Sequence, residues 1–436
     1  MLHSLEKKIQ DKSAVISIVG LGYVGLPLAV AFAEAGYHVL GVELLKRRVD
    51  SVNRGMSYIG DVSSERLSRL VNKKMLEATQ DQSRLSEADT ISICVPTPLT
   101  RTKQPDLSYV IFESEEVAKY LKPGQLVIVE STTYPGTTRE ICLPILEKNG
   151  LKVGKDFYLA FSPERIDPGT IKYNLRNVPK IVGGIEPEST KVASLLYQQI
   201  VDKVHIVSSA EAAEMTKVFE NVFRSVNIAL VNETAQLCHV MGVSIWEVIE
   251  AASTKPYGFM PFYPGPGVGG HCIPLDPYYL ADKAREYDFH TRFIELAGEI
   301  NERMPYYVVE HVIEALNNYG KSIKGARILV LGIAYKKDVG DPRESPSLKL
   351  VELLLNKGAK VDYNDPYIPE TSHVKGRVLK SIDITKESLA EMDCVIIATD
   401  HTKYDYDQIA RWSKLVFDTR GATRKLDKKN IIRLGE

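Results

Sequence analysis

Residues 262–277 read FYPGPGVGGHCIPLDP, and within them one thiol, Cys272, follows Gly265, Gly267, Gly269 and Gly270 and precedes the carboxylate of Asp276. Glycines at this density remove side chains where the backbone must bend or approach a ligand closely. A nearly bare loop presenting one thiol suits a nucleophile. A buried, inert cysteine would give the same composition, so the loop alone leaves both readings open. A second group lies in the long helical pattern of residues 209–241, where Lys217 and Asn221 are four apart and project from one face. A cation and an amide so placed could stabilise a developing oxyanion. Equally, Lys217 could pair with Glu214 or Glu220 on a solvated face. Two more polar groups, Thr133 and Glu164, stand just after apolar runs. Thr133 suits either a water or cofactor contact or a cap for the segment after Pro135. Glu164 is adjacent to Arg165, and neighbours in sequence seldom face each other, which favours a role for Glu164 in the site.

The elements that must position these groups follow a repeating α/β grammar. Residues 14–19 are apolar and β-branched and run into Gly20-Leu-Gly22-Tyr-Val-Gly25, then into a helical pattern over 26–35; the next strand, 37–42, ends at Glu43. In this strand, turn, helix context the glycines admit a pyrophosphate to the helix N-terminus, and an acid at Glu43 can take both ribose hydroxyls, which selects NAD over NADP. Residues 90–95, 126–130, 158–161 and 180–182 read as buried parallel strands. Loops 95–98, 131–136 and 162–165 then converge on the cofactor at their carboxyl ends. A second long helical pattern, 292–318, is interrupted at Pro305. From Ala326 the α/β grammar restarts, with strands at 327–331, 360–363, 394–398 and 415–417 and a helix at 348–357. Only Gly332 stands where a dinucleotide turn needs three glycines, so no second NAD site is expected. Lys336, Lys337, Arg343 and Arg420 instead suit a phosphorylated ligand, unless they merely pair with Asp338, Asp341 and Glu344. The expected fold is α/β: Rossmann-like doubly wound parallel-sheet domains at 1–208 and 320–436, joined by a central helical domain at 209–319 that carries the cysteine loop.

In this 436-residue chain, Lys and Arg number 55 against 56 Asp and Glu, a net charge of -1. No chain-wide field therefore favours nucleic acid or an acidic membrane, and an anionic substrate must be held locally. The five cysteines lie far apart without a C-x-x-C pair, so neither a metal site nor a disulfide framework is expected and the compartment reads as reducing. With no apolar run of membrane-spanning length and an N-terminus too polar for a signal peptide, a cytoplasmic protein is expected. An NAD domain, a loop thiol and a basic α/β domain fit together chemically. A simple alcohol dehydrogenase needs no thiol, but a thiol becomes useful when a carbonyl is oxidised further. It adds to the aldehyde, the thiohemiacetal gives up a hydride, and the thioester is hydrolysed. Two rivals are a single-oxidation enzyme of the β-hydroxyacid dehydrogenase type, which would need neither Cys272 nor the third domain, and a non-catalytic nucleotide-sensing protein.

GLGYVGLP at 20–27, VPTP at 95–98, PGVGGHCIPLDP ending at Pro277 and AYKKDVGDPRESP at 334–346 stand in an order and spacing that resembles the UDP-sugar 6-dehydrogenases, over about residues 13–421. The resemblance implies Cys272 as nucleophile of the second oxidation, Lys217 and Asn221 as stabilisers of the alkoxide and thiohemiacetal oxygens, and Asp276 as the group that orients or activates a water or Lys217. It implies Glu164 as base for thioester hydrolysis, with Thr133 placing the water. NAD contacts are expected from Gly20, Gly22, Tyr23, Val24, Gly25, Glu43, Arg48, Pro96, Thr97 and Thr132. Substrate contacts are expected from Glu164, Arg165, Lys217, Asn221, Phe262, Tyr263, Gly265, Gly269, His271, Lys337 and Arg420. The family also implies a homodimer or larger homo-oligomer with the long central helix at the interface. His271 and Leu275 stand where the UDP-glucose branch has serine and lysine, which resembles the N-acetylhexosamine branch. ESTTYPGTT and FSPERIDPG resemble its N-acetylglucosamine members. The implied reaction is the oxidation of UDP-N-acetyl-D-glucosamine at C6 to the uronic acid by two NAD, for surface polysaccharide precursors; UDP-GalNAc, UDP-ManNAc and UDP-glucose are the alternatives.

Overall fold

The computed structural model describes every residue except Met1, Arg101, Thr102, residues 167–171, His271, Cys272 and Lys375. The chain divides into two compact units, Met1–Glu220 with Tyr278–Phe289, and Asn221–Pro277 with His290–Glu436.

The first unit is built on eight strands: β1 (Val15–Val19), β2 (His38–Val42), β3 (Leu76–Thr79), β4 (Thr90–Ile93), β5 (Leu126–Val129), β6 (Tyr158–Phe161), β7 (Lys180–Gly184) and β8 (Val204–Ile206). They lie in the order β3-β2-β1-β4-β5-β6-β7-β8. The strands are apolar on both faces because both faces are covered. Leu126 and Ile128 point into one core with the helix Gly25–Glu34, while Val127 and Val129 point into the other with the helix Ser108–Tyr120. The strand order reverses between β1 and β4, the switch point at which doubly wound sheets bind ligands. Four strand ends are in line there, Val19 with Ile93, Ile93 with Val129 and Val129 with Phe161. One expectation is corrected: residues 180–182 do not continue the parallel set. Gly183 and Gly184 pair antiparallel with Phe161 and Ala160. A parallel return needs a crossover, usually a helix, and among the described residues between β6 and β7 there is none.

The second unit contains β9 (Arg327–Leu331), β10 (Lys360–Asn364), β11 (Glu370–Val374), β12 (Arg377–Lys380), β13 (Cys394–Ile397), β14 (Val416–Asp418) and β15 (Ile431–Arg433). β10-β9-β13-β14-β15 form a parallel sheet with its own switch point between β9 and β13, and β11 and β12 make an antiparallel hairpin. Helices supply the rest of the scaffold. The central helix, Ala210–Met241, has 32 residues, and Arg292–Asn318 runs unbroken through Pro305, contrary to the expected interruption. Proline there removes the hydrogen bond to the carbonyl of Asn301. Pro305 is buried, and Gly267 lies so close that a Cβ would sit 3.1 Å from that carbonyl oxygen. Among the described residues no helix is long and apolar enough to cross a membrane.

Candidate active site

At the end of β1, Gly20 adopts φ 88°, and a Cβ there would lie 2.7 Å from the carbonyl oxygen of Cys94. Only glycine suits that turn. The helix Gly25–Glu34 begins at once, and no side chain caps its N-terminus. Glu43, buried at the end of β2, grips the turn from the other side. Its carboxylate accepts from Leu21 N–H at 3.1 Å, Leu45 N–H at 3.0 Å and the Arg48 guanidinium at 3.0 Å. Tyr58 O–H donates to Leu21 O at 2.7 Å, so both polar groups of Leu21 are pinned. Oε1 of Glu43 retains acceptor capacity. An uncapped helix start and a bare glycine turn supply donors for a pyrophosphate, and an anchored acid supplies an acceptor for ribose hydroxyls, so these residues fit NAD. Tyr23 is 45% exposed, Pro96 is exposed, and Thr97 and Thr132 are half-buried.

The loops after β4, β5 and β6 leave the aligned strand ends together. Ser131 ties two of them, its hydroxyl accepting from Val95 N–H at 2.9 Å and lying 2.8 Å from Val95 O. The loop after β5 is anchored by buried Glu214, which accepts from Gly136 N–H at 2.6 Å, Thr138 N–H at 2.8 Å and Thr138 O–H at 2.6 Å. Burial pushes this carboxyl up to about 7 against the pull of its donors. Thr133 does not cap a helix. It is fully buried, and its Oγ1 has no hydrogen-bond partner among the described residues. A buried hydroxyl can donate to and accept from a ligand or water. Glu164, after β6, does not pair with the side chain of Arg165. Its Oε1 accepts from Arg165 N–H and Ile166 N–H, both at 2.7 Å, while Oε2 lies 3.8 Å from the Lys180 ammonium. Arg165 turns to Glu220 at 2.6 Å and to Pro179 O at 2.7 Å. Those bonds decide the reading of Lys217, which is buried. Glu214 holds the β5 loop and Glu220 holds Arg165, and among the described residues no carboxylate pairs with Lys217.

In the second unit, buried Asn221 donates to buried Asp276 Oδ2 at 2.5 Å. Asp276 opens the helix Asp276–Arg285, and so fixes the Asn221 amide. His271 and Cys272 lie outside the described residues. The glycine loop before them is laid down by a chain of amides. Gly265 N–H donates to Asn232 Oδ1 at 3.0 Å, Asn232 Nδ2 to Asn301 Oδ1 at 3.0 Å, and Asn301 Nδ2 to Ser225 O at 3.1 Å. Phe262 packs edge-on against Phe223 at 5.9 Å, and Tyr263 stacks on Trp246 at 6.3 Å. A Cβ on Gly265 would lie 2.5 Å from Arg420 Nη1, and one on Gly269 would lie 2.7 Å from Glu344 O. Arg420, after β14, is held by Ala398 O at 2.9 Å. Lys337 is half-exposed and 3.6 Å from Asp400. Arg343 is closed on Asp341 at 2.6 Å. Buried His401 shapes the turn that carries Lys337, accepting from Asp338 N–H at 2.9 Å on Nδ1 while Nε2 faces Asp365 at 3.2 Å. Sequence reasoning offered Glu214 only as a partner for Lys217 and missed Asn232, Asn301 and His401. The one available signal was an uncharged amide recurring on otherwise apolar helix faces.

Three successive matches cover these parts in order: the NAD binding domain of the UDP-glucose/GDP-mannose dehydrogenase family at residues 14–201, its central domain at 211–303 and its UDP binding domain at 329–425. The chain belongs to that family. The UDP-N-acetyl-D-mannosamine dehydrogenase of Pyrococcus horikoshii is 39% identical over 390 residues, 89% of this chain and 90% of the relative. The UDP-N-acetyl-D-glucosamine 6-dehydrogenase of Pseudomonas aeruginosa is 36% identical over 397 residues, 90% of this chain and 92% of the relative. The solved UDP-D-ManNAc dehydrogenase of Pyrococcus horikoshii matches with a TM-score of 0.88 at 36% identity, over 97% of this chain and 99% of that one. This UDP-sugar dehydrogenase therefore uses NAD, and its C-terminal α/β unit, which lacks the three-glycine turn, corresponds to the family's UDP binding domain.

Proposed function

We propose that the enzyme oxidises the C6 hydroxyl of UDP-N-acetyl-D-glucosamine to the carboxylate, in two successive two-electron steps with Cys272 as nucleophile. The observation that carries the reading is Lys217, a buried ammonium with no carboxylate against it among the described residues, one helical turn before an Asn221 amide fixed by Asp276. An unneutralised cation beside an oriented amide suits an oxygen that becomes anionic as the reaction proceeds. NAD, when bound, accepts the hydride at each oxidation. In the first step the C6 hydroxyl gives its proton to a water activated by Asp276, and Lys217 and Asn221 stabilise the C6 alkoxide. The Cys272 thiolate then adds to the aldehyde carbon, and the same pair holds the oxygen of the thiohemiacetal. Loss of the second hydride leaves a thioester on Sγ. Glu164 takes a proton from a water placed by Thr133; the water oxygen bonds to the acyl carbon, the C–S bond breaks and the thiolate is restored. One alcohol, two NAD and one water give one carboxylate, two NADH and three protons.

Arg420 and Lys337 bind the nucleotide diphosphate, and Gly265 and Gly269 let the loop lie along the substrate. We read the chain as an NAD part at 1–208, a helical part at 209–319 and a UDP-sugar part at 320–436, a reading that the order of the three domain matches supports. We read the working form as a homodimer through the central helix. Its exposed Phe223, Leu230, Leu237 and Met241 recur at seven, seven and four residues, an apolar stripe that water disfavours. The product's use in surface polysaccharide synthesis and a cytoplasmic location belong to the same reading.

The choice of N-acetylglucosamine rests on His271, Leu275 and the ESTTYPGTT and FSPERIDPG segments. The 39% identity to a UDP-N-acetyl-D-mannosamine dehydrogenase favours UDP-ManNAc as a second reading. Measuring kcat/KM for UDP-GlcNAc, UDP-ManNAc, UDP-GalNAc and UDP-glucose side by side tests the choice. UDP-GlcNAc is expected to exceed the others at least about tenfold, about 1.4 kcal/mol; preference for UDP-ManNAc would replace the first reading with the second.

A further inference from the structure

A fully buried charged cluster lies next to Glu164 that the mechanism above does not use. Lys180, at the start of β7, is 3% exposed and its ammonium lies 2.6 Å from Glu130 Oε2. Glu130 follows β5, is 1% exposed, and accepts the Tyr197 hydroxyl on its other oxygen. The ammonium also lies 5.0 Å from the centre of the Tyr197 ring. Burial works against the Lys180 charge, but Glu130 and Glu164 outweigh it, so Lys180 stays protonated. The thiol of Cys94, beside the cluster, is pushed up by burial and takes no charge.

An ion pair taken wholly out of water is seldom a net stabiliser compared with apolar packing, so its presence at this strand edge calls for another reason. Lys180 sits between two carboxylates that differ in freedom. Glu130 is locked by Lys180 and Tyr197. Glu164 is held on Oε1 by two backbone amides of its own loop, and among the described residues only the ammonium is paired with Oε2. At 3.8 Å that contact is ionic and longer than a hydrogen bond, so Oε2 is drawn to one side yet keeps its acceptor capacity for a water.

We propose that Lys180, fixed by Glu130 and Tyr197, is a positioning residue for thioester hydrolysis, holding the Glu164 carboxylate with Oε2 turned to receive the proton of the attacking water. This rests on the reading of Glu164 as the hydrolytic base. The hydride steps do not need Lys180. Its loss should therefore slow the release of the acyl group from Cys272 while NADH continues to form in the first turnover.

The test uses rapid mixing of the full-length enzyme with UDP-GlcNAc and NAD, following NADH in the first turnover and in the steady state, with intact-mass detection of acyl-enzyme. Lys180→Met alone would strand a buried carboxylate, so it is paired with Glu130→Gln to keep the cluster neutral. The double variant is expected to form its first-turnover NADH within about twofold of the parent rate, with steady-state turnover at least about tenfold slower and acyl-enzyme accumulating. Lys180→Arg, which keeps the charge, is expected to restore most of the steady-state rate. Tyr197→Phe keeps every charge and should show the same split more weakly, which preserves the test if the double variant does not fold. Equal losses in both phases, or no loss in either, would overturn the proposal. Glu164→Gln is run in parallel. If it blocks hydrolysis while the Lys180 variants do not, Lys180 is merely structural and the base assignment stands; if it turns over like the parent, the base assignment falls and Lys180 with it.

Discussion

Replacing Gly265 by alanine should damage substrate binding while leaving the fold nearly intact. Gly265 has an ordinary φ, so alanine is not strained by conformation, and its N–H can still donate to Asn232. The added methyl would lie 2.5 Å from Arg420 Nη1 and 3.0 Å from Cζ. The guanidinium is the movable end of a long side chain, so it shifts rather than the backbone. To restore a contact of about 3.5 Å or more it must retreat by about 1 Å, and the 2.9 Å bond from Nε to Ala398 O is the one lost or stretched. A hydrogen bond to a charged group is worth about 1.5–3 kcal/mol, and a guanidinium displaced from a phosphate loses a comparable amount. KM for the UDP-sugar should then rise about ten- to a hundredfold, with kcat for the chemical steps changed less than about threefold and the melting temperature within a few degrees of the parent. Steady-state kinetics and a thermal melt on the same preparation provide the assay. An unchanged KM would refute the placing of Arg420 on the nucleotide, and a large fall in melting temperature would show that the loop rather than the arginine had moved.

Two further outcomes are expected. Glu113 is buried in the helix Ser108–Tyr120 with Oε2 lacking a hydrogen-bond partner among the described residues, and burial, with Glu116 and Glu43 adding, pushes its carboxyl up to about 7. Between about pH 4.3 and 7 the unfolded chain has released this proton and the folded chain has not, so the group costs stability as pH rises, up to about 3 kcal/mol above pH 7. Glu113→Gln should match the parent near pH 4 and exceed it at pH 8 in denaturant titrations; a difference independent of pH would contradict this. Asp276→Ala removes the partner of the Asn221 amide and leaves a buried donor unsatisfied, a cost of about 1–3 kcal/mol. First-turnover NADH formation should slow about tenfold or more with KM little changed, whereas a change confined to KM would make Asp276 a substrate contact.

What could be read in advance was whatever a local backbone demands. The G-x-G-x-x-G turn declares itself because Gly20 needs a positive φ against the Cys94 carbonyl, and Glu43 because an acid must close a nucleotide-binding strand. The direction of β7 was not legible, since a short apolar strand carries the same residues whether it runs parallel or antiparallel. Nor was the continuity of Arg292–Asn318, because the glycine that packs over the freed carbonyl is 38 residues before Pro305. In the site, the pairing of Lys217 stayed open until Arg165 and the β5 loop were seen to occupy Glu220 and Glu214. Lys180 and Glu130 stand at strand ends, where charged residues are ordinarily solvated, and only the assembled sheet brings them together in a dry interior.

The covalent double oxidation is tested most directly by the NADH formed per UDP-GlcNAc consumed, in the parent and in Cys272→Ala. Two NADH per sugar in the parent, lost on removing the thiol, is the expected result. One NADH per sugar, unaffected by Cys272→Ala, would contradict it and leave an enzyme that stops at the aldehyde.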